Sequence, residues 1–279
     1  MYAKVYVEIT NICNMNCSFC HGHGREPGRM SREQLEHILT QLADQTKYIY
    51  FHLMGEPLAH PQLPEFIRMA AERGYKPCIT TNGTLLSRRK EELIGSGVHK
   101  VSISLHSFED GAETDYEAYM ADVTEFADQA SREGILVVFR LWNRGYDEGR
   151  NDTTLQYLQE HLEGEWKENT RGFRVRDKLH LEWGERFEWP DLNAPVQGEQ
   201  VFCYGLGDHF GILCDGTVVP CCLDSNGVIS LGNIFSQNIE EILQSPRAEK
   251  MVECFKQRKA SEELCRRCGY AQRFIKKKK

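Results

Sequence analysis

KVYVEITNICNMNCSFC, residues 4–20, sets a strand directly against a group of three cysteines. Residues 4–9 alternate apolar and polar side chains, as a half-buried strand does. Cys13, Cys17 and Cys20 follow, three and then two residues apart, in a segment that reads as the loop after that strand. Three thiolates are one too few to close a zinc or iron–sulfur site. The spacing therefore leaves one metal position open to an exogenous amino-carboxylate chelate. The competing reading is a structural zinc loop whose fourth ligand is His21 or His23.

Outward from this segment the chain alternates strands and helices. A helix opens at Ser31, which can cap it together with Gln34, and Leu35, Ile38, Leu39 and Leu42 form one apolar stripe. Further strands are expected at 48–53, 76–81, 98–105, 135–142 and 178–183. Helices are expected at about 62–73 closed by Gly74, near 87–95, in a segment ending near Arg132, and near 153–163. Six βα units force a parallel sheet with helices outside, and ligands then bind at the C-terminal strand ends. After Glu185 the pattern breaks. Residues 185–201 read as a linker, and HFGILC-DG-TVVPCC reads as a β-hairpin turning at Asp215-Gly216. Helices near 238–245 and 246–258 follow, and then Cys265-Arg-Arg-Cys268.

A chain of 279 residues can bury a core without disulfides, so its eleven cysteines point to soft-metal or redox chemistry. No charged segment followed by an apolar run marks a signal peptide, and no stretch of about 18 apolar residues could span a bilayer. A reducing cytoplasm is the expected compartment. The net charge of −7 argues against a general nucleic-acid surface, and the basic tail Lys276 to Lys279 is expected to be solvated.

CNMNCSFC resembles the CxxxCxxC signature of the radical S-adenosylmethionine (radical SAM) superfamily, with Phe19 as the aromatic before the last cysteine. The resemblance covers nearly the whole chain and implies a partial (β/α)6 barrel over residues 1–184. It implies that Cys13, Cys17 and Cys20 hold a [4Fe–4S] cluster whose open iron binds the amino and carboxylate groups of S-adenosylmethionine. One electron then breaks the C–S bond and releases a 5′-deoxyadenosyl radical. Met54-Gly55-Glu56-Pro57 is similar to the family's Gly-Gly-Glu-Pro motif, so Gly55 and Glu56 are expected to bind the cofactor's ammonium. Thr81-Asn82-Gly83 resembles the family's TNG. Ser104 lies where the family places a serine near the cofactor, although His106 stands where an aspartate usually follows. Arg140 matches a position from which relatives clamp the methionine carboxylate. His52, His60 and His106 flank strand ends, where a lone histidine is more often structural than a substrate contact.

Cys203, Cys221, Cys265 and Cys268, with DGTVVPCC and LGNI at 231–234, resemble the SPASM/twitch extensions of this superfamily. That implies a small cysteine-rich α+β module over 202–272, followed by a tail at 273–279. Seven cysteines lie beyond residue 200, one fewer than two closed clusters need. One auxiliary [4Fe–4S] cluster is thus favoured over a second, incompletely ligated one drawing on Cys214, Cys222 or Cys254. A zinc knuckle of the same four thiolates has the same spacing. Cys222 could return a hydrogen atom to a substrate radical, or it could pack as a small hydrophobe.

The resemblance implies an enzyme acting on a peptide or small-molecule substrate, with flavodoxin or ferredoxin as electron donor. The outcome would be oxidation, cross-linking or epimerisation, with a ribosomal peptide maturase slightly ahead of a dehydrogenase of an amino-sugar-like metabolite. The first strand starts at Lys4, so no peptide-recognition domain is expected before the barrel. A glycyl-radical activase would carry its extra cysteines soon after the first motif, and a non-catalytic metal-binding protein is the third alternative.

Overall fold

The computed structural model describes residues 1–110, 115–198 and 200–274, so Lys276 to Lys279 lie outside the described residues. In chain order the elements are β1 (Lys4–Val7), α1 (Arg32–Gln41), β2 (Tyr48–Tyr50), α2 (Leu63–Glu72), β3 (Lys76–Thr81), α3 (Leu86–Ile94), β4 (Lys100–Ser104) and α4 (Tyr116–Arg132). They continue with β5 (Leu136–Arg144), α5 (Arg150–His161), β6 (Lys167–Asn169), β7 (Gly172–Arg176), β8 (Leu179–Glu185), β9 (His209–Ile212), β10 (Thr217–Val219) and β11 (Gly232–Asn233). The last helices are α6 (Ile239–Leu243), α7 (Pro246–Lys256) and α8 (Glu263–Arg266). The expected α/β class with a parallel core is what the chain adopts. Among the described residues no helix is long and apolar enough to cross a membrane.

Contacts divide the chain into two compact units, each drawn from separated stretches. The first takes residues 1–11, 21–55 and the chain from 187 on, and the second takes residues 12–20 and 56–186. In the first unit β1 is central, with β2 and β9 parallel to it on either side. The hairpin β9–β10 turns at Asp215-Gly216, where Gly216 has φ +86° and a Cβ would strike the Phe235 ring. The alternation seen in the sequence buries Val5 and Val7 completely. Helix α1 carries the capping box of Ser31 and Gln34 and buries Leu35, Ile38 and Leu39. On the other sheet face Tyr6 is level with Gly211, and Gly211 with Val219. A Cβ on Gly211 would lie 2.8 Å from Leu53 and 2.9 Å from Val219, so bare backbone there lets the apolar side chains close.

In the second unit β3, β4, β5 and β8 run parallel, with β7 and then β6 antiparallel beyond β8. Ile79, Val101, Ile103, Val137, Phe139, Leu179 and Leu181 are essentially inaccessible. Each such side chain contributes about 1.5–3 kcal/mol of burial. The alternate positions Thr80, Ser104, Arg140, Trp142, His180 and Glu182 are half-buried on the opposite face. This polar face carries the candidate site.

The hairpin β6–β7 is absent from the sequence reading. Lys167–Asn169 is exposed at every position and has no apolar alternation, so its order comes from pairing with β7 rather than from its own pattern. The parallel pairing of β1 with β9 joins residues about 200 apart, and nothing in either strand announces it.

Candidate functional site

In the second unit the cysteine loop, Glu56, Asn82, Ser104 and Arg140 belong to one compact body. Cys13, Cys17 and Cys20 form no disulfide and lie on a loop tightened by the Cys20 N–H donating to the Cys17 carbonyl at 3.0 Å. Burial pushes the Cys13 thiol up, with the Glu56 and Cys20 charges adding to it and backbone N–H groups of Met15 and Asn14 opposing. The Cys17 thiol lies 3.8 Å from the Ser107 carbonyl. The alternative zinc ligands are engaged elsewhere in the first unit. His21 stacks on Trp189 and lies 3.9 Å from Asp191, and His23 Nε2 is 2.9 Å from the Asn11 carbonyl.

Glu56 is 2% exposed and ties its own turn to the end of β3. Its carboxylate accepts from Leu58 N (2.9 Å) and Asn82 N (2.8 Å), and also bonds the Thr81 side chain. Burial outweighs these bonds and raises its pKa to about 7. Gly55, in the first unit, has φ +74°, and a Cβ there would lie 2.5 Å from the Thr10 carbonyl oxygen. Only glycine fits that approach. The backbone carbonyl of Asn82 accepts from the buried Tyr119 hydroxyl at 2.8 Å.

Ser104, Arg140 and Glu182 form one row across β4, β5 and β8. The Arg140 guanidinium lies 3.5 Å from the Trp142 ring centroid and donates to Thr80 Oγ1 at 3.4 Å. Thr80, Trp142 and Glu182 escaped the sequence reading, although their alternation with Arg140 was available as a signal. Gly184 makes the stack possible, since a Cβ there would meet the indole at 2.6 Å. Gly184→Ala is expected to displace Trp142 and loosen Arg140. The check is an altered Trp142 fluorescence together with cofactor affinity weakened by about tenfold, the loss of roughly one hydrogen bond to a charged group.

His106 has Nδ1 2.9 Å from the Arg140 carbonyl and its ring 5.1 Å from Phe19. His60 takes the Gln62 N–H and packs on Phe66. His52 lies in the first unit against Tyr6 and Tyr50.

The C-terminal cysteines all lie in the first unit. Burial pushes the thiols of Cys203, Cys221, Cys265 and Cys268 up, and repulsion from neighbouring cysteine thiolates adds to the push on each. Cys203 is pushed up to about 11. Cys214 stands apart, its N–H held by Glu8 at 3.1 Å and its sulfur 3.8 Å from Arg25. Cys222 packs against the apolar cluster of Tyr6, Leu53, Met54, Leu213 and Val219. The Glu8–Arg25 pair, bidentate at 2.7 and 2.8 Å and absent from the sequence reading, ties the segment after Cys20 to β1.

Two family models match the chain, the radical SAM superfamily over residues 7–144 and the SPASM iron–sulfur cluster-binding domain over residues 203–269. The chain carries a radical SAM domain. An AdoMet-dependent heme synthase of Methanosarcina barkeri is 32% identical over 35% of this radical SAM chain, a stretch spanning 29% of that relative's own length. A crystal structure of BtrN in complex with AdoMet and 2-DOIA shares the fold at TM-score 0.62 and 20% identity, covering 96% of this chain and 93% of that one. Native anSMEcpe with bound AdoMet and Cp18Cys peptide does so at TM-score 0.61 and 15% identity, covering 99% and 91%.

Radical SAM proteins carry S-adenosylmethionine on a [4Fe–4S] cluster, and SPASM domains carry further iron–sulfur centres. The donor sets fit these groups. Buried thiols that repel one another as thiolates, with no disulfide joining them, gain from a cationic core that each can ligate. Among the described residues no three His, Cys, Asp or Glu side chains converge on a single ion. A cubane, which offers each thiolate its own iron, does not require that convergence.

Proposed function

We propose that this chain reductively cleaves S-adenosylmethionine and oxidises a peptide or small-molecule substrate by hydrogen-atom abstraction. The bound cofactor and cluster supply a 5′-deoxyadenosyl radical. Cys13, Cys17 and Cys20 hold the cluster, with Phe19 packed beside them. Glu56 and Gly55 receive the cofactor's ammonium, and Arg140 with Ser104 takes its carboxylate. Cys203, Cys221, Cys265 and Cys268 hold one auxiliary cluster that takes up the substrate's second electron. The substrate's first electron leaves with the abstracted hydrogen atom, and reduced flavodoxin or ferredoxin in a reducing compartment supplies the separate electron that cleaves S-adenosylmethionine.

The observation that carries this reading is one body that sets the Cys13 thiol beside the buried Glu56 carboxylate and the Asn82 amide, and that also holds Arg140 stacked on Trp142. A peptide substrate is favoured, in keeping with the fold shared with peptide-bound anSMEcpe. A second reading, dehydrogenation of a small metabolite, is supported by the likeness to BtrN across nearly the whole of both chains.

Anaerobic reconstitution with dithionite and S-adenosylmethionine should release 5′-deoxyadenosine, and deuterium from the true substrate should appear in it. No 5′-deoxyadenosine would sink the proposal. Changing Cys265 and Cys268 to alanine should lower iron from about eight to about four per chain and abolish substrate oxidation while cofactor cleavage persists. A product of unchanged mass in H2O that gains one deuterium in D2O would instead make Cys222 a hydrogen donor and the reaction an epimerisation.

A further inference from the structure

Asn14, Asn82 and Thr84 close a ring of hydrogen bonds in the second unit. The Asn82 amide donates to Asn14 Oδ1 (3.0 Å), the Asn14 amide donates to Thr84 Oγ1 (2.8 Å), and the Thr84 hydroxyl donates to Asn82 Oδ1 (2.7 Å). The direction of this ring is not free. The Thr84 backbone N–H also points at Asn82 Oδ1, at 3.0 Å, and a backbone N–H can only donate. The atom facing it must be the amide oxygen, so the NH2 group is turned the other way. One of its two hydrogens goes to Asn14, and Cys13 Sγ lies 4.0 Å from the same nitrogen, the long reach that sulfur permits. Asn82 is 8% exposed, and its backbone is fixed by Glu56 and Tyr119.

We propose that Asn82 is a positioning residue whose second amide hydrogen bonds the Cys13 thiolate and sets the reduction potential of the radical SAM cluster, with Asn14 and Thr84 holding the amide in register. The inference rests on Cys13 being a ligand of that cluster. Hydrogen bonds to cluster sulfurs stabilise the more negative, reduced state, and so they raise the potential. Every polar atom of Asn82 already has a partner in the protein, which makes a thiolate contact a better use of this side chain than a cofactor contact.

The test is an anaerobic redox titration of the two-cluster protein followed by EPR, with the auxiliary cluster as internal reference. Asn82→Leu should raise the oxidised-to-reduced ratio of the first cluster about tenfold at fixed poise, which corresponds to ~59 mV for one electron. Asn82→Asp, close in shape and so retaining the fold, should shift it further the same way. An exchangeable proton coupled to the first cluster in pulsed EPR should vanish in both. Unchanged potential and unchanged proton coupling in either variant would overturn the inference, as would a loss of S-adenosylmethionine affinity without any change of potential. If native protein shows no spectral response to S-adenosylmethionine, the functional reading fails instead, while the potential shift can still be read.

Discussion

Cys17→Ala is expected to reduce 5′-deoxyadenosine formation to the level of cluster-free protein and to remove about half of the reconstituted iron, leaving about four per chain. The argument is one of ligand number. A cluster on three thiolates has no spare protein ligand, and His21 and His23 are turned to Trp189, Asp191 and the Asn11 carbonyl. The variant should fold, because Cys17 is half-buried on a loop and its contact to the Ser107 carbonyl is long, at 3.8 Å. Iron analysis and chromatography of the nucleoside read the two effects separately. Full iron with retained cleavage would mean that a fourth side chain closes the site, contrary to the proposal.

Glu56→Gln should weaken S-adenosylmethionine binding by about 10- to 100-fold, the 1.5–3 kcal/mol of a hydrogen bond to a charged group. The carboxylate already accepts two backbone N–H groups and bonds the Thr81 side chain, which leaves one of its roughly four acceptor sites for the cofactor's ammonium. Glutamine has one oxygen for two inward N–H donors, so its NH2 must face a donor. Calorimetric titration with the cofactor measures the loss. The same residue predicts a pH dependence of the cofactor-free protein. Its carboxyl has a pKa of about 7 when folded against 4.5 as the ordinary value, so between these pH values the folded chain holds a proton that the unfolded chain has lost. The stabilisation is fully present below about 4.5 and is lost as pH rises through about 7. Melting temperature should fall over that window in the native protein and show a smaller slope in Glu56→Gln. Cofactor binding near pH 6.5 should release a proton, because the ammonium favours the carboxylate.

Much of the site was legible because radical SAM chemistry is encoded in short segments whose spacing is itself the signal. Cys13, Cys17 and Cys20 lie within one loop, Asn82 directly follows β3, and Glu56 stands in a short Gly-Glu-Pro segment beyond β2. The hairpin β6–β7 and the partners Thr80, Trp142 and Glu182 were less legible, since exposed edge strands and strand-face polar residues acquire meaning only from neighbours. Gly184 reads as an ordinary glycine until the indole of Trp142 is placed over it at 2.6 Å.

From its sequence alone this protein is determined to be an α/β chain with two sets of cysteine thiols, because hydrophobic period and ligand spacing are local properties of the chain. Tertiary structure alone decides that β1 pairs with β9, that Glu8 and Arg25 lock around Cys214, and that Asn82 turns its amide toward Cys13. Those contacts join residues far apart in the chain, and their energies depend on burial and hydrogen-bond direction, which only the folded backbone supplies.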